Sequence, residues 1–333
     1  MRECKKAASA IKTCMQKNIR PKDCLTKRSF ENALVMLMAL GGSTNGVLHL
    51  LAMAGTAGVD LKLDNFQKVS DRIPFLADLA PSGKYLIADL YDIGGIPSVQ
   101  KYLIAAGLMD GTTITITGKT LAENVEGYPS LMDSDQKIIR PLHDPIKASG
   151  HIEILYGNIA PQGSVAKITG KQGLKFVGKA RVFEKERELN EALNQGKIPA
   201  TGGNLVLVVR YEGPKGGPGM PEQLKASAAI VGADLRNVSL ITDGRYSGAS
   251  HGFIVGHICP EAAVGGPIAL IRDDDTITID VETHRIDMDV SEEELARRQA
   301  EWKPPRNRVK KGTLAKYARL VGDASHGAMT DDF

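Results

Sequence analysis

Apolar residues in the first third of the chain recur at intervals of three and four. Phe30, Ala33, Leu34, Leu37 and Met38 form one such run; Val47, Leu48, Leu50, Leu51 and Met53 form a second, with Gly41-Gly42-Ser43-Thr44-Asn45-Gly46 between them. This spacing predicts two buried helices joined at a glycine turn, with Ser43, Thr44 and Asn45 placed to cap the second. An amphipathic helix is expected over 64–69 and another over 96–103, the latter opened by Pro97 after Gly94-Gly95. With a short strand expected over 113–117, the first 130 or so residues read as mainly helical.

After Asn124 the pattern changes. Gly127-Tyr128-Pro129-Ser130 and Arg140-Pro141-Leu142-His143-Asp144-Pro145 break every longer period, and short β-rich runs follow. They cover 152–156, 165–168, 180–183, 205–210, 238–242, 268–271 and 276–281. Their number, shortness and glycine punctuation predict a barrel-like or sandwich domain with a few inserted helices, including one over 223–231. The fold class is therefore α/β, divided into residues 1–140 and a β-barrel-like C-terminal domain of residues 141–333. No internal repeat is visible, which argues against solenoids and propellers.

Composition narrows the function classes. Of 333 residues, 42 are Lys or Arg and 39 Asp or Glu, giving a net charge of +3 with both signs interleaved. No basic block marks a nucleic-acid partner, and no apolar run approaches the roughly 20 residues of a membrane-spanning helix. Cys4, Cys14, Cys24 and Cys259 are too few for a disulfide framework in a chain this long, which points to a reducing compartment. No targeting segment is visible at the start.

Two stretches could carry chemistry. The first is Tyr211-Glu212-Gly213-Pro214-Lys215-Gly216-Gly217-Pro218-Gly219-Met220-Pro221-Glu222, between a strand-like run and a helix-like one. Such a loop can offer backbone N–H groups and a helix N-terminus to an anionic substrate, and Glu222 could present its carboxylate to a hard cation. The alternative is a turn that needs glycine for geometry alone. It is not a Walker phosphate loop, because Lys215 is followed by glycine rather than Ser or Thr. The second stretch is Thr242-Asp243-Gly244-Arg245-Tyr246-Ser247-Gly248, where Ser247 sits on a sharply bending backbone as a nucleophile or proton carrier would. A serine hydroxyl is a poor base unless a nearby metal or positive charge favours the alkoxide. A turn whose hydroxyls satisfy local backbone groups is the plainer alternative.

Other candidates are weaker. His251 and His257 lack zinc spacing and read as solvated or core histidines. The ten-residue spacing of Cys4, Cys14 and Cys24 fits no iron–sulfur or zinc motif. Asp273-Asp274-Asp275 reads as a solvated acidic turn, and Gly41 to Asn45 could either cap a helix or line a pocket.

Five ordered motifs carry a resemblance that covers essentially the whole chain. They are Phe30-Glu31-Asn32-Ala33 running into Gly41-Gly42-Ser43-Thr44-Asn45, Ser70-Asp71-Arg72-Ile73-Pro74-Phe75-Leu76-Ala77-Asp78-Leu79, Thr117-Gly118-Lys119-Thr120-Leu121-Ala122-Glu123-Asn124, the Tyr211 to Glu222 loop, and Thr242 to Gly248. Together they resemble the dihydroxy-acid/phosphogluconate dehydratase family. Lys84, Tyr85 and the leucines around them look more like its branched-chain amino-acid enzymes than its sugar-acid relatives.

The resemblance implies an N-terminal α/β domain, of which this chain carries the latter portion, followed by a β-barrel-like domain, in a homodimer with the active site between the domains. It implies dehydration of 2,3-dihydroxy-3-methyl carboxylic acids to 2-oxo acids in valine and isoleucine biosynthesis. In the family an iron–sulfur cluster, 2Fe–2S or 4Fe–4S, acts on the departing C3 hydroxyl, Mg2+ holds the substrate's carboxylate and C2 hydroxyl, and a serine alkoxide removes the C2 proton. By motif position Ser247 is that base and Glu222 a magnesium ligand. The family's cluster cysteines and remaining magnesium ligands belong to motifs upstream of the Phe30 region, and this chain has no Cys-Asp-Lys or Cys-Gly-Gly-Met stretch. A truncated, non-catalytic binding or dimerising subunit, or a sugar-acid dehydratase, is the alternative. Apolar surface is then expected to be exposed at Leu37 and Leu48. The compartment implied is mitochondrial in a eukaryote, plastid in a plant and cytoplasmic in a bacterium.

Overall fold

The computed structural model describes residues 2–168, 173–233, 235–246, 253–305 and 309–331. The chain packs as two compact units: Met1–Gly42, Met53–Leu61 and Lys68–Gly150 in one, and Ser43–Ala52, Lys62–Gln67 and His151–Phe333 in the other.

Helices dominate up to residue 125: α1 (Arg2–Lys17), α2 (Pro21–Cys24), α3 (Lys27–Leu40), α4 (Asn45–Ala57), α5 (Leu63–Arg72), α6 (Ile87–Asp92), α7 (Gly95–Ala105) and α8 (Leu121–Val125). The three-and-four periodicity places Phe30, Leu34, Val35 and Met38 on the buried face of α3. That helix stops where Gly41 turns left-handed at φ 71°, with the Gly41 N–H donating to Met38 O and the Gly42 N–H to Leu37 O. These bonds satisfy carbonyls that the helix end would otherwise leave bare. The strand expected over 113–117 is not formed; an isolated bridge joins Ile114 to Thr120 instead. The run is too short and too threonine-rich to bury a face, and its side chains bond locally, Thr115 Oγ1 donating to Lys119 O at 3.0 Å.

The second unit is built on a sheet. Its elements in order are β1 (Ile152–Leu155), β2 (Ser164–Lys167), β3 (Lys175–Phe183), α9 (Glu186–Asn194), β4 (Leu205–Val209), β5 (Glu222–Gln223), α10 (Lys225–Gly232), β6 (Val238–Thr242), β7 (Arg245–Tyr246), β8 (Phe253–Gly256), β9 (Thr276–Asp280), β10 (Arg285–Met288), α11 (Glu292–Glu301) and α12 (Thr313–Leu320). Eight of the described strands form one mixed sheet in the order β1-β2-β8-β6-β4-β3-β9-β10. The central β3, β4, β6 and β8 run parallel, and the flanking pairs are antiparallel. Next to edge strand β1, Tyr156 bridges to Arg285 at the start of β10, the Tyr156 N–H donating to His284 O and the Ile286 N–H to Tyr156 O. The sheet is thereby drawn into a nearly closed barrel, which leaves little free edge.

Alternate residues of β4 enter different cores. Val206 and Val208 join Leu155, Ala166, Ile241, Val255, Ile279 and Ile286, a set drawn from both sheet edges that fills the barrel interior. Leu207 and Val209 pack with Leu189 of α9 and with Ala226 and Ile230 of α10 on the outside. The continuous Leu-Val-Leu-Val-Val run is what a parallel strand buried on both faces requires.

Two expectations change here. Residues 268–271 do not form a strand: Pro267–Leu270 is a 3-10 turn, since proline supplies no ladder N–H and pre-sets the bend. Residues 273–275 are not merely solvated. Asp275 forms a buried ion pair with Arg298 of α11, Oδ2 to Nη1 at 2.5 Å, and Asp273 Oδ1 accepts the Val182 N–H.

Candidate functional site

The parallel strands β4 and β6 end beside each other, and the two stretches singled out in the sequence leave from those ends. This is where ligands bind in parallel α/β sheets, because the loops there are free of the ladder. The loops then meet again. β5 pairs in parallel with β7, setting Glu222 opposite Arg245 and Gln223 opposite Tyr246.

The first loop is held down by the protein's own acids. Asp243, fully buried, accepts N–H bonds from Tyr211 at 3.0 Å, Glu212 at 2.9 Å and Ala262 at 2.8 Å. Glu261 accepts from Lys215 and Gly216, both at 2.8 Å. The N-terminus of α10 is filled likewise, Glu186 Oε1 accepting from the Lys225 N–H at 3.0 Å. The expectation that these N–H groups would receive an anionic substrate is therefore revised. Internal carboxylates occupy them, since a buried backbone donor must find a partner and a carboxylate is a strong one. Glycine is needed partly for this contact: a Cβ on Gly213 would lie 2.7 Å from the Glu261 Cβ.

Burial raises the pKa of both acids. Asp243 is pushed up to about 6 by burial, against the opposing pull of its three N–H donors, with Glu212 adding to the rise. Glu261 is pushed up to about 7 by burial, opposed by the Gly216 and Lys215 N–H groups. Desolvation outweighs hydrogen bonding in each because the carboxylates lie almost wholly out of water.

Around the β5–β7 pair the side chains of α4 supply partners. Asn45 Nδ2 donates to Glu222 Oε1 at 2.6 Å, and one helical turn on, His49 Nε2 lies 3.2 Å from Arg245 Nη1. Arginine only donates, so in this contact His49 Nε2 is the acceptor. Arg245 Nε also donates to Met220 O at 2.5 Å. Positions i and i+4 of one helix thus serve two residues that face each other across a strand pair. Glu222 and His49 are exposed, Arg245 is half-buried and Asn45 is buried.

Several buried polar atoms here have no hydrogen-bond partner among the described residues: Asn45 Oδ1, Gln223 Oε1, the Tyr246 hydroxyl and both ring nitrogens of His257. His257, read from its spacing as a solvated or core histidine, is buried. Its pKa is pushed down to about 3 by burial, with the charges of Arg245 and His49 contributing, so the ring stays neutral. Sequence reasoning weighed Asn45 as a pocket-lining residue but missed His49, Arg245, Asp243 and Glu261 as site residues. Asn45, Asp243 and Arg245 lay inside quoted motifs, but which side chains converge is decided by the β5–β7 pairing. Ser247 and His251 lie outside the described residues.

The cofactors implied by the resemblance fit unequally. A hard cation suits the Glu222 carboxylate beside the unpartnered Asn45 Oδ1, since both are oxygen ligands. An iron–sulfur cluster does not fit. Cys259 is buried with its thiol pushed up to about 12 by burial, and Cys24 is raised by burial and by Cys14. No cysteine belongs to a group of three or more potential metal-ligating side chains among the described residues. Thiols dispersed in this way do not make cluster ligands. Leu48, expected to be exposed, is buried against Met220, Cys259 and Ala324, because α4 packs on the loops that follow β4 and β8.

The acidic, glycine-rich loops at the parallel strand ends of the nearly closed barrel are thus the candidate site of the second unit. The chain belongs to the dihydroxy-acid/6-phosphogluconate dehydratase family. Residues 1–124 match the model of the family's N-terminal domain, and residues 137–328 that of its C-terminal domain. Similar proteins include the mitochondrial dihydroxy-acid dehydratase of Schizosaccharomyces pombe, 57% identical over 99% of this chain and 55% of that protein. The dihydroxy-acid dehydratase of Flavobacterium psychrophilum is 54% identical over 99% of this chain and 59% of its own length. The chloroplastic dihydroxy-acid dehydratase of Arabidopsis thaliana is 54% identical over 99% of this chain and 54% of its own. The chain spans about half the length of the curated relatives it matches.

Proposed function

We propose that this chain is the base-bearing and cation-binding part of a dihydroxy-acid dehydratase, a hydro-lyase that converts 2,3-dihydroxy-3-methyl carboxylic acids into 2-oxo acids for branched-chain amino-acid synthesis. The observation that carries the reading is the Asn45–Glu222 contact next to Arg245 in the β5–β7 pair, which gathers a cation-binding carboxylate and a guanidinium at the strand ends. The relatives' shared name supports the substrate class.

A magnesium ion held by Glu222, when bound, would acidify the C2 position by withdrawing charge through the substrate's oxygens. Asn45 holds the Glu222 carboxylate by Oε1 and leaves Oε2 for the ion. Ser247, by its place two residues after Arg245, is the proposed base: as the alkoxide that a nearby cation would favour, its Oγ would take the C2 proton and become the neutral hydroxyl. Departure of the C3 hydroxyl needs a Lewis acid that the cysteines of this chain do not hold, so no step through it is assigned to these residues. Assembly as a homodimer, with the cluster supplied by other residues, is part of the proposal. So is an organellar location if the source is eukaryotic, since the S. pombe relative is named mitochondrial and the A. thaliana relative chloroplastic. No described helix is long and apolar enough to cross a membrane.

The test is an anaerobic assay of this chain joined to the cluster-holding residues that the proposal requires, supplied with iron, sulfide and magnesium and following 2-oxoisovalerate formation from 2,3-dihydroxyisovalerate. Turnover should fall by about a thousandfold or more in Ser247→Ala and comparably in Glu222→Gln, as loss of a general base or a metal ligand does. Unchanged turnover in either variant would remove that residue from the mechanism, and turnover of sugar acids alone would refute the substrate class.

A further inference from the structure

Arg245 is a half-buried guanidinium without a carboxylate partner among the described residues. Its neighbour across the strand pair, Glu222, is turned to Asn45 instead. Of the five N–H donors of an arginine, Nε is committed to Met220 O and one on Nη1 to His49. The rest, on Nη1 and Nη2, have no acceptor among the described residues. A partly desolvated charge left unpaired in a folded protein is costly unless a ligand completes it. His257 is a second, independent sign of a missing ligand. It is 3% exposed, neither ring nitrogen has a partner among the described residues, and it lies close enough to Arg245 and His49 to feel both. Its backbone is also held left-handed at φ 53°, and its N–H donates to Gly244 O, next to Arg245. A β-carbon residue in that conformation is strained, and such strain persists where the surroundings over-determine a side chain's direction.

We propose that Arg245 binds the carboxylate of the acid substrate, with His49 as the positioning residue that fixes the plane of its guanidinium and His257 as a neutral hydrogen-bonding neighbour. This deepens the dehydratase reading and rests on it for the identity of the acid. A carboxylate has two oxygens, so it can meet the guanidinium and a cation on Glu222 together. A planar fork of donors also selects a carboxylate over an ester or amide of the same shape, which a point charge does less well.

The test is calorimetric titration of the chain, in magnesium buffer, with 2-oxoisovalerate, with its methyl ester, and with gluconate as a sugar acid. Wild type should bind an acid saturably and prefer 2-oxoisovalerate to its ester. Arg245→Gln should weaken acid binding by about tenfold or more and abolish the preference, as loss of a charge-assisted pair does. Arg245→Lys should keep part of the affinity and guards against a glutamine variant that fails to fold, which melting curves will show. His49→Ala should weaken the acid more than the ester. The assignment is overturned if Arg245→Gln, folded, binds the acid within about twofold of wild type, or if wild type binds no acid saturably. Arginine-dependent binding of gluconate without binding of 2-oxoisovalerate would leave Arg245 in its role and overturn the branched-chain substrate instead.

Discussion

Asn45 and Glu222 lie 177 positions apart in sequence and 2.6 Å apart in the fold, amide nitrogen to carboxylate oxygen. The bond ties the first turn of α4 to the short strand that carries the proposed cation ligand, and it sets the rotamer of an otherwise exposed carboxylate. Asn45→Ala should cost about 1–2 kcal/mol of stability, toward the low end for a hydrogen bond to a charged group because Glu222 is exposed. It should also weaken Mn2+ binding, measured by electron paramagnetic resonance, several-fold. Asn45→Asp should destabilise more by placing a second carboxylate against Glu222. Unchanged Mn2+ affinity in Asn45→Ala would separate Asn45 from the cation site.

Asp243 and Glu261 make the stability of the second unit pH-dependent. Their folded pKa values, about 6 and about 7, stand above the ordinary 3.8 and 4.5 because burial penalises the charge. Between pH 4 and 7 the folded state then binds more protons than the unfolded one, so the contribution of these two groups to stability falls as pH rises through that window. Above it both are ionised in either state and their contribution is flat. Urea titrations from pH 4 to 8 should show this slope reduced in Glu261→Gln relative to wild type. An identical slope in the two proteins would mean that Glu261 titrates normally.

The same carboxylates hold the glycine-rich loop. Asp243→Asn replaces an acceptor of three N–H bonds by a side chain one of whose atoms must donate. A cost of about 2–3 kcal/mol is expected from the buried donors left unmet. Hydrogen exchange should quicken at the Tyr211, Glu212 and Ala262 amides, while the amides of β9 and β10 keep their protection.

Arg298 and Asp275 form a buried pair, with Arg298 also donating to Leu270 O at 3.0 Å and to Glu294 Oε1 at 2.8 Å. Removing one partner strands the other, and Arg298→Ala should cost about 3–5 kcal/mol. The double variant Arg298→Ala, Asp275→Ala should cost less than the sum of the single ones. An additive double-mutant cycle, read from urea midpoints, would show that the two residues do not interact.

Gly41 ends α3 left-handed, and a Cβ there would lie 2.5 Å from the Phe75 ring. Gly41→Ala should therefore destabilise by about 1–3 kcal/mol, with part recovered when Phe75→Leu removes the ring. Thermal melts of the two variants check it. No loss in Gly41→Ala would mean the ring moves aside freely.

Local physics made much of this legible beforehand. The helices α3 and α4 and the turn between them follow from apolar spacing and the glycine pair, and β4 and β6 from uninterrupted branched residues. The strands β8 and β10 escaped although they are as long as β1 and β2, which were read, and the two-residue β5 and β7 are too short to show a period at all. Ranking the 268–271 run as a strand misjudged Pro267, whose fixed φ bends the chain at once into a 3-10 turn.

What the sequence by itself determined is the α/β class and the glycine-rich loop, because helix period, strand burial and turn chemistry are written in neighbouring residues; the roles of Glu222 and Ser247 rest on the family resemblance. Tertiary structure alone decided that the loop's N–H groups answer to Asp243 and Glu261 rather than to a ligand. It also decided that Asn45 and His49 on one helix face meet Glu222 and Arg245. Those partners are separated by up to 196 residues, as for His49 and Arg245. No local preference encodes such a pairing; it follows from closing the barrel and from the need of each buried donor to find an acceptor.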